Sequence, residues 1–125
     1  MDAWLSEAKA LTEAGKIGMY LVHNGVVRRS SRAAARLGEK DAKPVTGMRF
    51  SYDQGKVDAA IRRTERLEGI GYVRVWLNSG ELLPGDDIMY VLVGGDIRPR
   101  VIDALQGLVE TIKTGCVTEE ELFTY

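Results

Sequence analysis

The fold is decided by residues 75–100, which read VWLNSGELLPGDDIMYVLVGGDIRPR. Residues 88–93 are apolar or aromatic at every position, a pattern that predicts a central strand buried on both faces. Pro84-Gly85-Asp86 predicts the turn before it. Pro99 suits the first turn of a helix because proline has no N–H to leave unbonded. The stretch therefore predicts a strand, a turn, a second strand and the last helix.

Elements of both kinds flank this segment. Residues 46–52 and 72–77 alternate apolar and polar side chains, as half-buried strands do. Residues 17–23 form an apolar run, predicted to be a strand that ends in a turn at Asn24-Gly25. Apolar residues at helical spacing predict three helices; the stripes are Trp4, Leu5, Ala8 and Leu11, then Val57, Ala60, Ile61, Thr64 and Leu67, then Ile97, Val101, Ala104, Leu105, Leu108 and Ile112. We therefore expect a single α+β domain over residues 1–125, with helices packed on a mainly antiparallel sheet.

Residues 29–44, RSSRAAARLGEKDAKP, have no stable period and are rich in arginine and lysine. They predict an exposed, mobile basic loop. The loop is either a solvated connector or a basic flap over an anionic ligand.

Composition limits the classes of function. The formal net charge is −1, so no bulk field favours nucleic acid or an anionic membrane as a partner. No apolar run approaches the roughly 20 residues of a membrane span, and the first residues lack the pattern of a signal peptide, so a cytoplasmic protein is expected. One cysteine, Cys116, and one histidine, His23, predict neither an intramolecular disulfide nor a metal site.

Several single features admit two interpretations. Gly94-Gly95-Asp96 joins a strand to a helix, where backbone amides, Arg98 and Arg100 could seat an anion; alternatively, the glycines only permit the turn and Asp96 caps the helix. His23 is a catalytic base or a hydrogen-bonded core residue, and Cys116 is a nucleophile or a small apolar filler.

The segment VRVWLNSGELLPGDDIMYVLV, residues 73–93, resembles the signature of the MoaE family, the large subunit of molybdopterin synthase. The similarity continues in Gly25-Val26-Val27-Arg28, which resembles the family's Gly-x-Val-Arg, and in the strand GMRFSY at residues 47–52. It covers about residues 17–121.

This resemblance implies an α/β-hammerhead fold and a homodimer that works with a small ubiquitin-like sulfur carrier. The implied activity is molybdenum cofactor biosynthesis: sulfur passes from the carrier's thiocarboxylate to cyclic pyranopterin monophosphate and forms the dithiolene. No protein-bound metal or other cofactor is implied. Matched residue by residue, Arg28 and Arg98 would bind substrate, and Lys113 would be the catalytic residue that faces the thiocarboxylate.

The chain departs from the family pattern at charged positions. Both family histidines are replaced, by Leu77 and Ile97, and the second active-site lysine becomes Glu120, or Glu119 if the register shifts by one. His23, Lys40 or Lys43 could act in their place. Two functions follow as alternatives: a divergent sulfurtransferase, or a catalytically degenerate paralogue that binds a pterin or a carrier as a scaffold.

Overall fold

The computed structural model of the protein describes residues 1–11, 15–28 and 45–123. This part of the chain holds three α-helices, one π-helical turn and six strands. The helices are α1 (Asp2–Leu11), α2 (Gln54–Glu65) and α3 (Arg98–Thr111), and the π-helical turn spans Ile112–Cys116. The strands are β1 (Met19–Val26), β2 (Val45–Tyr52), β3 (Ile70–Leu77), β4 (Gly80–Leu82), β5 (Asp87–Gly95) and β6 (Val117–Phe123). None of the described helices is both long and apolar enough to cross a membrane.

The strands form two antiparallel sheets, with orders β1-β5-β3 and β4-β2-β6. β5 is central in the first sheet, as the apolar run at residues 88–93 predicts, and every residue from 88 to 95 except Tyr90 is buried. The predicted α+β class with antiparallel sheets is therefore confirmed.

The core lies against the inner face of the first sheet. Helix α3 buries most of its predicted stripe, and β2 of the second sheet adds Met48 and Phe50 to the same cluster. Ile97 was predicted to lie on the buried face of α3, but it is 51% exposed because it precedes the helix as the N-cap. The core thus ties the two sheets together through β2.

Helix α1 covers the other face of the first sheet. The Arg74 guanidinium lies 4.3 Å from the Trp4 ring centroid, forms an ion pair with Glu7, and holds α1 to β3. Ala8 is fully buried. The helix therefore does not cover the inner face of the sheet or the end of β1.

The predicted turn at Asn24-Gly25 is wrong, because β1 continues through both residues to Val26. The Asn24 side-chain amide donates to the Met89 carbonyl at 3.2 Å and to the Asp87 carboxylate at 3.1 Å, and these bonds keep β1 on the edge of β5. Pairing with β5 thus extends a dipeptide that would otherwise favour a tight turn.

Candidate functional site

A cavity of about 490 Å³ opens where β1 ends, between β5, β6 and the end of α3. Its volume lies in the range typical of sites for small organic ligands. The cavity brings together two predicted site residues, Arg28 and Lys113. Met48, Ile88 and Met89 give it an apolar lining.

Lys113 reaches the cavity from the π-helical turn. The turn is wider than an α-helical turn, and such insertions are frequent at functional sites. Its two ends, Ile112 and Cys116, are buried, while Lys113 and Thr114 are exposed between them. The Thr114 hydroxyl donates to the Glu110 carbonyl at 2.8 Å. Its buried ends and this bond to α3 fix the turn, and with it the position of Lys113.

Arg28 is placed by the turn at residues 84–86. The Val27 amide donates to the Asp86 carbonyl, and the Val27 carbonyl accepts from the Gly85 amide, both at 2.9 Å. The Asp86 carboxylate closes the turn by accepting from the Leu83 amide at 2.8 Å. The turn predicted at Pro84-Gly85-Asp86 thus holds Val27 through both its amide and its carbonyl, and Arg28 follows into the cavity.

The structure distinguishes the two glutamates that could replace the family's second lysine. Along β6, side chains alternate between faces, so Glu119 lines the cavity and Glu120 points away from it. The Glu120 carboxylate instead pairs with Arg49 at 3.1 Å on the outer face, where Arg49 also binds Glu81. Glu119 is therefore the residue of this pair that shares the cavity with Lys113.

His23 lies beside the cavity without lining it. Its Nε2 atom is 3.7 Å from the position that a Cβ atom would take at Gly25, which does line the cavity. That nitrogen is buried and has no hydrogen-bond partner among the described residues. Burial, assisted by the charge of Lys113, lowers the pKa of His23 below its usual value. The ring is therefore neutral at physiological pH and carries an unused acceptor or donor near Lys113.

The remaining predicted site residues lie elsewhere. Arg98 is exposed at the first residue of α3, whereas Lys113 follows the last. At about 1.5 Å per residue, a 14-residue helix separates its ends by roughly 21 Å, so the two do not meet in one chain. Lys40, Lys43 and the whole predicted basic loop at residues 29–44 lie outside the described residues.

The glycines before α3 serve packing. A Cβ atom on Gly95 would lie 2.6 Å from the Gly69 carbonyl oxygen, and one on Gly94 would lie 2.7 Å from the Tyr20 ring. The Asp96 carboxylate accepts from the Ile97 amide at 2.7 Å and from Arg100 at 2.6 Å. An internal carboxylate thus occupies the proposed anion seat, which supports the interpretation of the segment as a turn with a capping aspartate.

Cys116 fits the interpretation of a small apolar filler. It is a free thiol, 6% exposed, at the end of the π-helical turn. Burial raises the pKa of the Cys116 thiol despite the nearby Lys56 ammonium. The residue is therefore not poised as a nucleophile.

Sequence reasoning missed the strand β6 and its second cavity carboxylate, Glu121. Glu110, at the end of α3, also lines the cavity. The alternation of Val117, Glu119 and Glu121 was the available signal, but three consecutive glutamates hide it, because a charge run usually indicates solvated chain. No group of three or more His, Cys, Asp or Glu side chains in the described ranges is arranged to hold a metal ion.

Comparison with known proteins gives a consistent result. The family model MoaE, described as MoaE protein, matches residues 2–115. No curated protein matches the chain.

Among solved structures, the chain is similar to molybdopterin synthase from Staphylococcus aureus, with a TM-score of 0.73, 14% identity and coverage of 95% of this chain and 84% of that one. It is also similar to the molybdopterin biosynthesis MoaE protein from Burkholderia ambifaria, with a TM-score of 0.70, 19% identity and coverage of 98% and 81%. A third similar chain belongs to the complex of subunits 1 and 2 of molybdopterin-converting factor from Helicobacter pylori, with a TM-score of 0.67, 16% identity and coverage of 98% and 80%.

At these identities the structural matches establish the fold, and the family model establishes the relationship. The match begins in α1, includes Arg28 and Lys113, and ends within the π-helical turn before β6. The resemblance predicted from residues 73–93 is therefore confirmed, and with it a role in molybdenum cofactor biosynthesis. The chain belongs to the MoaE family.

Proposed function

We propose that the protein is the large subunit of a molybdopterin synthase. It would transfer sulfur from a thiocarboxylated, ubiquitin-like carrier to cyclic pyranopterin monophosphate. The observation that carries this proposal is the convergence of Arg28 and Lys113 on one cavity of about 490 Å³. Family membership and the Helicobacter pylori complex of two subunits support the carrier as the partner.

The two cations suit the two anions of the reaction. The guanidinium of Arg28 can bind the substrate phosphate in a bidentate manner, and the ammonium of Lys113 can stabilise the thiocarboxylate of the carrier tail. In each transfer, the thiocarboxylate sulfur forms a C–S bond to the pterin side chain and the carbon–oxygen bond at that carbon breaks. Water then cleaves the acyl–sulfur bond, and the carrier leaves with an ordinary carboxylate. Lys113 would assist by stabilising the negative charge that develops during attack.

A homodimer is part of the proposal because of Arg98. It cannot contact a substrate in the cavity of its own chain, since α3 separates it from Lys113 by roughly 21 Å. If Arg98 binds the same substrate, a second copy of the chain must supply it.

His23 is the described residue best placed to assist in the absence of the family histidines. Its neutral ring beside the cavity can accept a proton or donate a hydrogen bond if it rotates towards Gly25. Lys40 and Lys43 remain candidates from the sequence alone. We also propose a cytoplasmic location, since the single cysteine is a free thiol.

The test is conversion of cyclic pyranopterin monophosphate by the purified protein with a thiocarboxylated carrier, with dithiolene product measured as its oxidised fluorescent derivative. We expect product with the unaltered protein and at least a hundredfold loss in Lys113→Ala, in the range expected when a group that stabilises developing charge is removed. Lys9→Ala, at an exposed position of α1, is the matched control and should remain active.

Two outcomes would contradict the proposal. Full activity in Lys113→Ala would remove the catalytic assignment. Tight carrier binding by the unaltered protein without any product would indicate the catalytically degenerate scaffold instead.

A further inference from the structure

Two carboxylates, Glu119 and Glu121, stand on the cavity face of β6. Alternate residues of a strand are about 7 Å apart, so the two form an acidic wall along one side of the cavity. Both are partly buried, unlike Glu120 between them, whose side chain is 61% exposed. The acidic wall, Glu119 and Glu121, therefore belongs to the cavity.

The register of the second sheet fixes this orientation. Glu119 pairs with Phe50 and Glu121 pairs with Met48, and both partners belong to the buried core. Directly opposed residues of antiparallel strands share a face of the sheet. A shift of β6 by one residue would turn both carboxylates to the outer face and bring Glu120 to the core side, so the pairing with β2 holds the carboxylates towards the cavity.

These carboxylates are electrostatically unfavourable for a ligand that carries only negative groups. Among the described lining residues, the negative charges of Glu110 and the acidic wall counter the positive charges of Arg28 and Lys113. A phosphate or thiocarboxylate gains nothing from a carboxylate nearby. The wall therefore suits a ligand group that donates hydrogen bonds.

The proposed substrate has such a group. The pyrimidine ring of a pterin carries a ring N–H and an exocyclic amino group side by side, and a carboxylate accepts two parallel N–H bonds in this arrangement. The same cavity is lined by Met48, Ile88 and Met89, whose buried apolar side chains can pack against a flat bicyclic ring.

We propose that the acidic wall recognises the amino-pyrimidinone edge of the pterin, while Arg28 and Lys113 bind the anionic end of the reacting groups. The inference rests on the proposed function and adds a determinant of substrate specificity to it. The wall lies beyond residue 115, where the match to the MoaE family model ends. A carboxylate accepts several hydrogen bonds at once, so other contacts of these side chains are compatible with this role.

The test compares two probes that differ at the recognised edge. Neopterin monophosphate carries the amino group, and the corresponding lumazine phosphate carries a carbonyl oxygen in its place. Dissociation constants for the full-length protein are measured by ligand fluorescence. We expect the pterin to bind at least about tenfold more tightly than the lumazine, the ratio expected for one charge-assisted hydrogen bond.

Single and double variants then locate the recognition. Glu119→Gln, Glu121→Gln and their combination keep the shape of the side chains and remove the charge, and at least the double variant should lose the tenfold preference. Glu120→Gln is the matched control on the outer face of β6 and should keep it. Circular dichroism verifies that each variant is folded.

Each other outcome overturns the inference. If the unaltered protein binds both probes equally, or if the double variant keeps the preference, the acidic wall does not read the pterin edge, although the sulfur-transfer function can stand. If the unaltered protein binds neither probe, a pterin site is excluded and the proposed function fails as well.

Discussion

Lys113 and Glu119 line the same cavity, although they come from different elements, the π-helical turn and β6. Glu120, the next residue in the chain, pairs instead with Arg49 on the opposite face of the strand. Two neighbouring glutamates thus have different electrostatic surroundings, and charge reversal at each should have different consequences.

Glu119→Lys should tighten binding of the carrier's anionic C-terminal tail. The change replaces repulsion by attraction inside the cavity, worth roughly tenfold in affinity at low salt and less at high salt. Calorimetric titration with the carrier measures it. Glu120→Lys, which makes the same change of charge on the outer face, should leave affinity within about twofold at physiological salt, because an exposed charge on the far side of the strand is largely screened there. Equal tightening by both variants would show that the whole surface, and not the cavity, attracts the tail.

Several features of the fold could be predicted from local pattern alone. The continuous apolar run at residues 88–93 indicated the central strand β5, and the helical spacing from Val101 to Leu108 indicated the buried face of α3. In both cases the segment's own burial determines its structure, so local sequence suffices.

The site was less predictable because it depends on contacts between distant segments. Arg28 is placed by bonds between Val27 and the turn at residues 84–86, which is nearly 60 positions away in the chain. Glu119 faces inwards because of its register with Phe50, and the charge run around it gave no sign of that pairing. Matching to a family found Arg28 and Lys113, but only the packed sheets show that they share a cavity and that Arg98 does not reach it.

Arg98 and Lys113 should complement each other between subunits. Arg98→Ala and Lys113→Ala homodimers are each expected to lose activity. After mixing, unfolding and refolding in equal amounts, half of the dimers are mixed, and each has one site with both residues intact. Activity should therefore recover to about one quarter of the unaltered level.

The unaltered protein, unfolded and refolded in the same way, provides the control for losses during refolding. No recovery in the mixture of the two variants would contradict a shared site between subunits. Full activity of Arg98→Ala alone would remove that residue from the site.

His23 should make stability depend on pH. Burial and the charge of Lys113 lower the pKa of His23 in the folded protein relative to the unfolded chain. In the unfolded chain the pKa of His23 is about 6.5, so between this pKa and the lower folded pKa the unfolded state binds more protons than the folded state. The free energy of unfolding therefore falls as the pH falls through this window. Above the window, the contribution of His23 to stability is fully present.

Urea unfolding of the unaltered protein and of His23→Gln, at several values between about pH 7.5 and pH 5.5, measures this effect. Because His23 is the only histidine of the chain, the variant removes this contribution alone, and its stability should fall less steeply over the window. Identical pH profiles of the two proteins would show that the ring has the same pKa folded and unfolded.

Replacing Gly95 by alanine should destabilise the protein for a steric reason, whereas replacing Gly107 should stabilise it. A Cβ atom at position 95 would lie 2.6 Å from the Gly69 carbonyl oxygen and 2.8 Å from a Val101 methyl group, at the junction of β5 and α3. Both neighbours are held in the core or the backbone, so Gly95→Ala should lower the free energy of unfolding by about 1–3 kcal/mol.

A Cβ atom at position 107, inside α3, meets nothing within 4 Å. Gly107→Ala should raise the free energy of unfolding by about 1 kcal/mol, because alanine favours a helix interior over glycine. Urea midpoints at constant m-value separate the two effects, and an unchanged midpoint for Gly95→Ala would show that the strand-to-helix junction relaxes around the added methyl group.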